Sequence, residues 1–241
     1  MTTLVTTSGE RGVTTLTLNS PATRNALSAA LVGELADALA ACGKDPGVRA
    51  VVLDHAGGTF SAGADLKAPP SPYDFVALLR RIVELPKPVV GRVTGHARAG
   101  GLGLLGACDV VVAGEGADFA LTEVRIGVAP AVISLTLLPR LEPRAAARYY
   151  LTGERFGVPE AIAMGLVTTG DDALPGILDA LRAASPQGLR ESKRLVTARV
   201  LETFERDAED LVQRSATLFA SAEAREGMTA FLERRDPAWR L

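Results

Sequence analysis

The fold is decided by residues 88–113, PVVGRVTGHARAGGLGLLGACDVVVA, which place a glycine-rich loop and a short helix between two valine-rich segments. Valine runs of this kind favour buried strands, and the glycines mark the loop. The alternation continues toward the N-terminus, where residues 50–53 form another predicted strand and residues 73–85 a helix that Pro86 ends. Alternating strands and helices predict an α/β fold with parallel strand pairing.

The N-terminal segment follows the same pattern. Residues 13–18 alternate threonine with valine or leucine, which is typical of a half-buried strand. Ser28 is a good N-cap for the next helix, on which Leu31, Leu35 and Leu39 fall on one face. We therefore predict a strand followed by an amphipathic helix.

The C-terminal part differs in character. Strand signals fade beyond about Ala145, and from Pro186 onward the pattern is helical and highly charged. We expect a core of residues 1–185 and a helical module of residues 186–241 that serves in oligomerisation.

Composition limits the possible functions. The 241 residues carry 26 Lys+Arg against 28 Asp+Glu, a net charge of -2, which argues against nucleic acid or an anionic membrane as the main partner. Cys42 and Cys108 have no CxxC spacing, so neither a disulfide framework nor a zinc site is expected. Reduced cysteines, no signal-peptide pattern and no apolar run of about 20 residues predict a cytoplasmic protein without membrane spans.

Two loops rich in small residues are candidates for binding a negative charge. Residues 58–66, GTFSAGADL, lie at the exit of one predicted strand, and residues 95–106, GHARAGGLGLLG, lead from another strand into a helix. Small side chains let a ligand approach the backbone, and N–H groups at a helix start are unpaired. One N–H from each loop would form an oxyanion hole. The alternative is a pair of tight, closely packed turns.

Residues 101–106 also match the dinucleotide fingerprint GxGxxG, with Glu123 as the acidic ribose ligand. The context argues against this interpretation. Residues 95–100 separate the glycines from the strand, and only three residues follow Gly106 before the next valine run, too few for a crossover helix. We expect His55 and His96 to have structural roles, because no Ser or Asp arrangement accompanies them.

Glu123 is the candidate acid/base. It lies between a predicted strand and apolar residues, and a carboxylate in such surroundings holds its proton more tightly. The alternative is a surface glutamate paired with Arg125.

Five segments in order carry a resemblance to a known family: residues 19–28, 60–67, 87–95, the glycine loop through 109, and 226–235. Together they resemble the crotonase family, the enoyl-CoA hydratase/isomerase superfamily. The resemblance implies an α/β fold, a crotonase-like spiral of ββα units with a C-terminal helical trimerisation region. It also implies an acyl-CoA thioester as the ligand, no separate cofactor or metal, and a homotrimer or a dimer of trimers.

The resemblance also implies roles for single residues. By position, the backbone N–H groups of Ala64 and Gly100 are the oxyanion donors and Glu123 the acid/base. Arg24 and Lys67 fall where the family holds the coenzyme A phosphates, and Arg234 matches a tail position that reaches a neighbouring subunit's ligand. The implied substrate-binding set is Arg24, Ala26, Ala62, Gly63, Ala64, Asp65, Leu66, Lys67, Gly100 and Arg234.

The chain departs from the family at two positions. Hydratases use two glutamates, and the first is replaced here by Gly103, while a glycine after Pro130 is replaced by Ala131. One carboxylate suffices to isomerise an enoyl-CoA, whereas losing an acid/base group slows hydration by about 10²–10⁴-fold. We expect a hydratase/isomerase-type enzyme with isomerisation favoured, and we expect Gly103→Glu to raise hydration. The alternative is a non-catalytic acyl-CoA-binding protein of the same fold.

Overall fold

The computed structural model describes residues 3–241, and within this range the chain forms nine strands and nine α-helices. The strands are β1 Val5–Glu10, β2 Val13–Leu18, β3 Ala50–His55, β4 Thr59–Ser61, β5 Val89–Val93, β6 His96–Arg98, β7 Val110–Ala113, β8 Asp118–Ala120 and β9 Thr169–Gly170. The helices are α1 Ala29–Lys44, α2 Pro72–Glu84, α3 Gly100–Ala107, α4 Ser134–Leu137, α5 Pro143–Thr152, α6 Val158–Ala163, α7 Leu174–Ala183, α8 Pro186–Phe219 and α9 Ala222–Glu233.

The larger sheet has six strands in the order β1-β2-β3-β5-β7-β9. β1 and β2 form an antiparallel hairpin, and every other neighbouring pair is parallel. The predicted parallel pairing is therefore confirmed for the strands that the valine runs form.

A smaller parallel sheet, in the order β4-β6-β8, lies at the exits of the larger one. Each of its strands follows a strand of the larger sheet, so that β3 leads to β4, β5 to β6 and β7 to β8. A helix follows the first two pairs, α2 after β4 and α3 after β6. This repeat is the ββα spiral that the sequence led us to expect, and it brings the loops after β4 and β6 next to each other.

The first helix forms as its sequence predicts. The Ser28 Oγ accepts a hydrogen bond from the Leu31 N–H at 3.2 Å and caps α1. Leu31, Leu35 and Leu39 are all buried on the face that meets the core. The predicted N-cap and apolar stripe are confirmed.

The core fills both faces of the larger sheet. On one face, fully buried side chains of the sheet such as Leu16 and Leu53 form one core cluster with apolar side chains of α1 and α2, among them Ile82. The other face presents valines of β2, β3, β5 and β7, which α7 covers with Leu178 and its neighbours. Helices on both faces explain why the valine runs do not alternate with polar residues.

Three of the short strands, β4, β6 and β9, were missed from sequence, whereas β8 overlaps the strand predicted just before Glu123. β4, β6 and β8 have three residues each and β9 has two, and β9 lies beyond Ala145, where no strand was expected. Such segments are too short to display an alternating pattern, and two of them lie inside the small-residue loops.

The C-terminal helices pack on the core. α8 begins at Pro186, with Ser185 as its N-cap, and its buried Val200 and Phe204 lie on the side that meets α2 and α4. In the part of the chain that the structure describes, no helix is both long and apolar enough to cross a membrane. The division at residue 185 and a role of the C-terminal helices in oligomerisation stay predictions.

Candidate active site

The loop that follows β2 is fastened to the loop that follows β4. The Ala62 N–H donates to the Arg24 carbonyl at 3.0 Å, the Leu27 N–H to the Gly63 carbonyl at 2.8 Å, and the Asp65 N–H to the Leu27 carbonyl at 3.0 Å. These bonds bring the predicted residues 24–26 and 62–67 into one surface, with Ala64 paired beside Leu27.

Asn25 holds this surface in place, a role that the sequence reasoning missed. Its side chain is fully buried; the Oδ1 accepts from the Ser20 N–H, and the Nδ2 donates to the carbonyls of Ala56 and Thr59. Arg24 and Asn25 both adopt a positive φ, of 56° and 50°. Asparagine adopts this left-handed conformation more readily than most residues. The asparagine at this position is therefore the sequence feature that could have indicated its structural role.

The two candidate oxyanion donors lie on loops that touch. Gly63 has a φ of 91°, and a Cβ added to it would lie 2.9 Å from the Ala99 Cβ and 3.8 Å from the Gly100 nitrogen. Within residues 3–241, neither the Ala64 N–H nor the Gly100 N–H donates a hydrogen bond. Backbone N–H groups without a partner beside a surface loop are suited to bind a ligand's oxygen.

The backbone conformation of Ala99 orients the Gly100 N–H, the second candidate donor. It has a φ of 47° and a ψ of -117°, a conformation that residues with a side chain rarely adopt. Its ψ sets the plane of the peptide that ends in the Gly100 N–H. Strained backbone of this kind is concentrated at functional sites, and here it lies next to the predicted donor.

Gly100 itself has no room for a side chain. A Cβ there would lie 2.8 Å from the Leu27 Cδ1 and 3.3 Å from the Phe75 ring. The glycine therefore lets α3 begin directly against the loop that carries Ala64. The glycines at 101, 103 and 106 lie inside α3, not in a loop before it, which confirms that the GxGxxG match is not a dinucleotide fingerprint.

Glu123 begins a short 3-10 turn, Glu123–Ile126, directly after β8. Its side chain is 9% exposed, and the Oε2 atom is buried without a partner in the described residues. Burial raises the pKa of the carboxyl from 4.5 to about 7. The predicted acid/base is thus a buried group that titrates near neutral pH, and the alternative of a surface pair with Arg125 is wrong.

A tyrosine lies close to this carboxyl. Burial, together with the charge of Glu123, raises the pKa of the Tyr150 hydroxyl, while the hydrogen bond of 3.2 Å to the Ser134 Oγ opposes the change. Tyr150 and Ser134 line a cavity of about 600 Å³ between the segment 129–139 and α8. The described residues that line this cavity do not include Ala64, Gly100 or Glu123.

The charged residues of the predicted substrate set are exposed. Arg24 and Lys67 lie at the surface, and among the described residues neither side chain makes an ion pair or hydrogen bond. Arg234 ends α9 with a φ of 57°, and no described hydrogen bond joins it to the surface of residues 24–26 and 62–67. The structure therefore brings residues 24–26 and 62–67 together beside Gly100, whereas no described hydrogen bond links Arg234 to them.

Each of the two histidines is paired with a neighbouring polar group. The His55 Nε2 faces the Thr94 N–H at 3.1 Å, and burial lowers the pKa of the ring. The His96 Nδ1 bonds the Asp118 carboxylate at 2.6 Å across the smaller sheet. Within residues 3–241, no group of three or more His, Cys, Asp or Glu side chains is arranged to hold a metal ion.

Comparison with known proteins gives a consistent result. Residues 8–241 match the family model described as enoyl-CoA hydratase/isomerase. The chain is similar to the crystal structure of an enoyl-CoA hydratase from Mycobacterium avium, with 53% identity and a TM-score of 0.94 over 100% of both chains. It is 35% identical to an enoyl-CoA hydratase of Mycobacterium tuberculosis, over 92% of this chain and 91% of that protein. It is 32% identical to the 2,3-dehydroadipyl-CoA hydratase of Escherichia coli, over 95% of this chain and 96% of that protein.

Proposed function

The chain belongs to the enoyl-CoA hydratase/isomerase family, the crotonase superfamily, and from that premise we propose that it isomerises enoyl-CoA thioesters with a single carboxylate. One observation carries the proposal. Two unpaired N–H groups lie on touching loops, and the family's acid/base position holds a buried glutamate whose pKa is raised to about 7.

The two N–H groups act on the thioester carbonyl. Removing a proton next to the carbonyl forms an enolate, whose negative charge collects on the oxygen. Ala64 and Gly100 each donate one hydrogen bond to that oxygen, and the folded backbone fixes both donors before the reaction begins. Removing one donor of this kind from an enzyme costs about 3 to 4 kcal/mol of transition-state stabilisation.

Glu123 moves the proton. As a carboxylate it takes a proton from one carbon of the acyl chain, and as a carboxylic acid it returns a proton to another carbon. A group with a pKa of about 7 reaches both forms near neutral pH, which suits this double role. Water is not consumed, so a second acid/base is not required.

Coenzyme A is held at the surface formed by residues 24–26 and 62–67. The unpaired side chains of Arg24 and Lys67 supply positive charge for phosphate groups, and the small residues Ala62 and Gly63 let the ligand lie against the backbone. Arg234 reaches the ligand of a neighbouring copy in a trimer or a dimer of trimers.

The test compares the wild type with Glu123→Gln. We expect the wild type to convert 3-enoyl-CoA to 2-enoyl-CoA and to hydrate crotonyl-CoA slowly. In the variant, isomerisation falls by about 10²–10⁴-fold while acyl-CoA binding, measured by calorimetry, persists. Glu10→Gln, an exposed change on β1, is the matched control.

The same experiment separates the alternatives. An unchanged isomerisation rate in Glu123→Gln shows that Glu123 is not the acid/base. A wild type that binds acyl-CoA but turns over no enoyl-CoA is the non-catalytic binder. A wild type that hydrates crotonyl-CoA near the diffusion limit contradicts the preference for isomerisation.

A further inference from the structure

The space beside Gly103 on α3 is filled by one side chain from the segment that precedes α4. A Cβ added to Gly103 would lie 2.5 Å from the Cγ2 and 3.0 Å from the Cβ of Ile133, the residue just before α4. The next small residue on the same side, Gly106, instead faces Leu137 and Thr136. The two glycines therefore pack against different residues, and the side chain of Ile133 fills the space beside Gly103.

Ile133 contacts α3 and lies on the segment that follows Glu123 along the chain. The Val128 N–H donates to the Glu123 carbonyl at 3.1 Å, and the chain then runs through Pro130 to Ile133. The following residue, Ser134, bonds the hydroxyl of Tyr150, whose pKa responds to the Glu123 charge. On the other side, Gly103 is three residues into the helix that Gly100 begins.

The space that Ile133 fills is apolar and closed. The side chain is 4% exposed and belongs to the main hydrophobic core. A water molecule needs two or more polar partners to be held in such a place, and a carboxylate there would lose its hydration without compensation. The single change Gly103→Glu therefore requires Ile133 to move, so we now expect it to raise hydration only when Ile133 is shortened as well.

We propose that Ile133 is a specificity-determining residue, because its side chain occupies the volume beside Gly103 that a second carboxylate or a bound water would need. The site then transfers protons and does not add water efficiently. This inference rests on the proposed function, since it explains which of the family's reactions the site performs.

The volume argument is tested first, by stability. We expect Gly103→Ala to lower the midpoint of urea unfolding clearly in the wild type and much less in an Ile133→Gly background. In that background the nearest atom to the new Cβ is the residue 133 Cα at 3.6 Å, an ordinary contact. Gly106→Ala is the matched control, because its Cβ would meet Leu137 at 2.9 Å and Ile133→Gly should not relieve it. Equal effects of Gly103→Ala in both backgrounds overturn the proposal.

The specificity argument is tested by activity. We expect the double variant Gly103→Glu/Ile133→Gly to hydrate crotonyl-CoA at least about tenfold faster than the wild type, because a general acid/base contributes 10²–10⁴-fold. The double variant Gly103→Glu/Ile133→Val keeps the Cγ2 methyl group of residue 133 beside residue 103, so its hydration rate should not rise. A double variant with Ile133→Gly that folds without faster hydration, or that does not fold, contradicts the proposal.

Failure of this proposal differs from failure of the proposed function. If the wild type isomerises 3-enoyl-CoA and the Gly103→Glu/Ile133→Gly variant gains no hydration, the role of Ile133 is wrong and the function stands. If the wild type turns over no enoyl-CoA while that variant hydrates crotonyl-CoA, the role of Ile133 is supported and the isomerase proposal fails.

Discussion

Replacing Glu123 by glutamine should change the pH dependence of stability in a calculable way. Folding raises the pKa of this buried carboxyl from 4.5 to about 7. Below about pH 4.5 the group is neutral in the folded and unfolded chains, so it costs nothing. Between about pH 4.5 and pH 7 the unfolded chain has released this proton while the folded chain retains it, so the free energy of unfolding falls until the folded group is ionised too.

The magnitude follows from the two pKa values. A difference of about 2.5 units, at about 1.36 kcal/mol each, is a cost of about 3 kcal/mol once ionisation is complete. Glutamine cannot ionise and does not carry this cost. We therefore expect the free energy of unfolding of Glu123→Gln, relative to the wild type, to rise by about 2 to 3 kcal/mol between pH 5 and pH 9.

The assay is urea unfolding of both proteins at several pH values over that range. The amide also introduces a buried N–H donor, but the cost of that donor does not depend on pH, so the change of the difference with pH isolates the carboxyl. Glu10→Gln, on the exposed edge of β1, shows what the same chemical change does at the surface. A difference between wild type and Glu123→Gln that stays constant from pH 5 to pH 9 refutes the raised pKa and the role built on it.

Two further predictions concern the backbone around the site. Asn25→Ala removes a fully buried side chain that makes three hydrogen bonds to the backbone. We expect chemical denaturation to show that the free energy of unfolding falls by about 3 kcal/mol, and calorimetry to show weaker acyl-CoA binding. Unchanged stability would contradict the anchoring role of Asn25. Ala99→Gly removes the side chain from a strained conformation with a φ of 47°. We expect thermal unfolding to show that the free energy of unfolding rises by up to about 1 kcal/mol, and turnover to fall because the Gly100 N–H is held less firmly. A loss of stability would contradict the strain at Ala99.

The sequence predicted the parts of the fold that repeat a pattern. Apolar patterning and the leucine stripe of α1 report burial directly, so the inner strands β2, β3, β5 and β7 of the larger sheet and its first helix were found, whereas the outer strands β1 and β9 were not. The three-residue strands β4 and β6 were not found either, because their hydrogen bonds depend on neighbours far along the chain and not on alternation. These short strands are what bring the loops of Ala64 and Gly100 together.

The sequence predicted those parts of the candidate site that lie in recognisable motifs. Glu123 and the two small-residue loops stand out by residue type and position, and the structure places both loops in contact. The strain at Ala99 and the anchoring by Asn25 are properties of backbone geometry, which residue types alone do not reveal. No described hydrogen bond links Arg234 to the two small-residue loops, and its proposed role at the ligand of a neighbouring copy stays a prediction.

Gly103 and Ile133 show most clearly what a position-by-position view omits. Gly103 alone suggests a missing acid, and so a vacant place that glutamate would fill. In the structure this volume is occupied by the side chain of Ile133, thirty positions further along the chain. Glycine at 103 and isoleucine at 133 therefore have to be considered together, because one residue leaves the space that the other fills. An apolar side chain at this place offers no hydrogen bond to a carboxylate or to a water molecule, so the packing of α3 against Ile133 suits a site that works with one acid/base group.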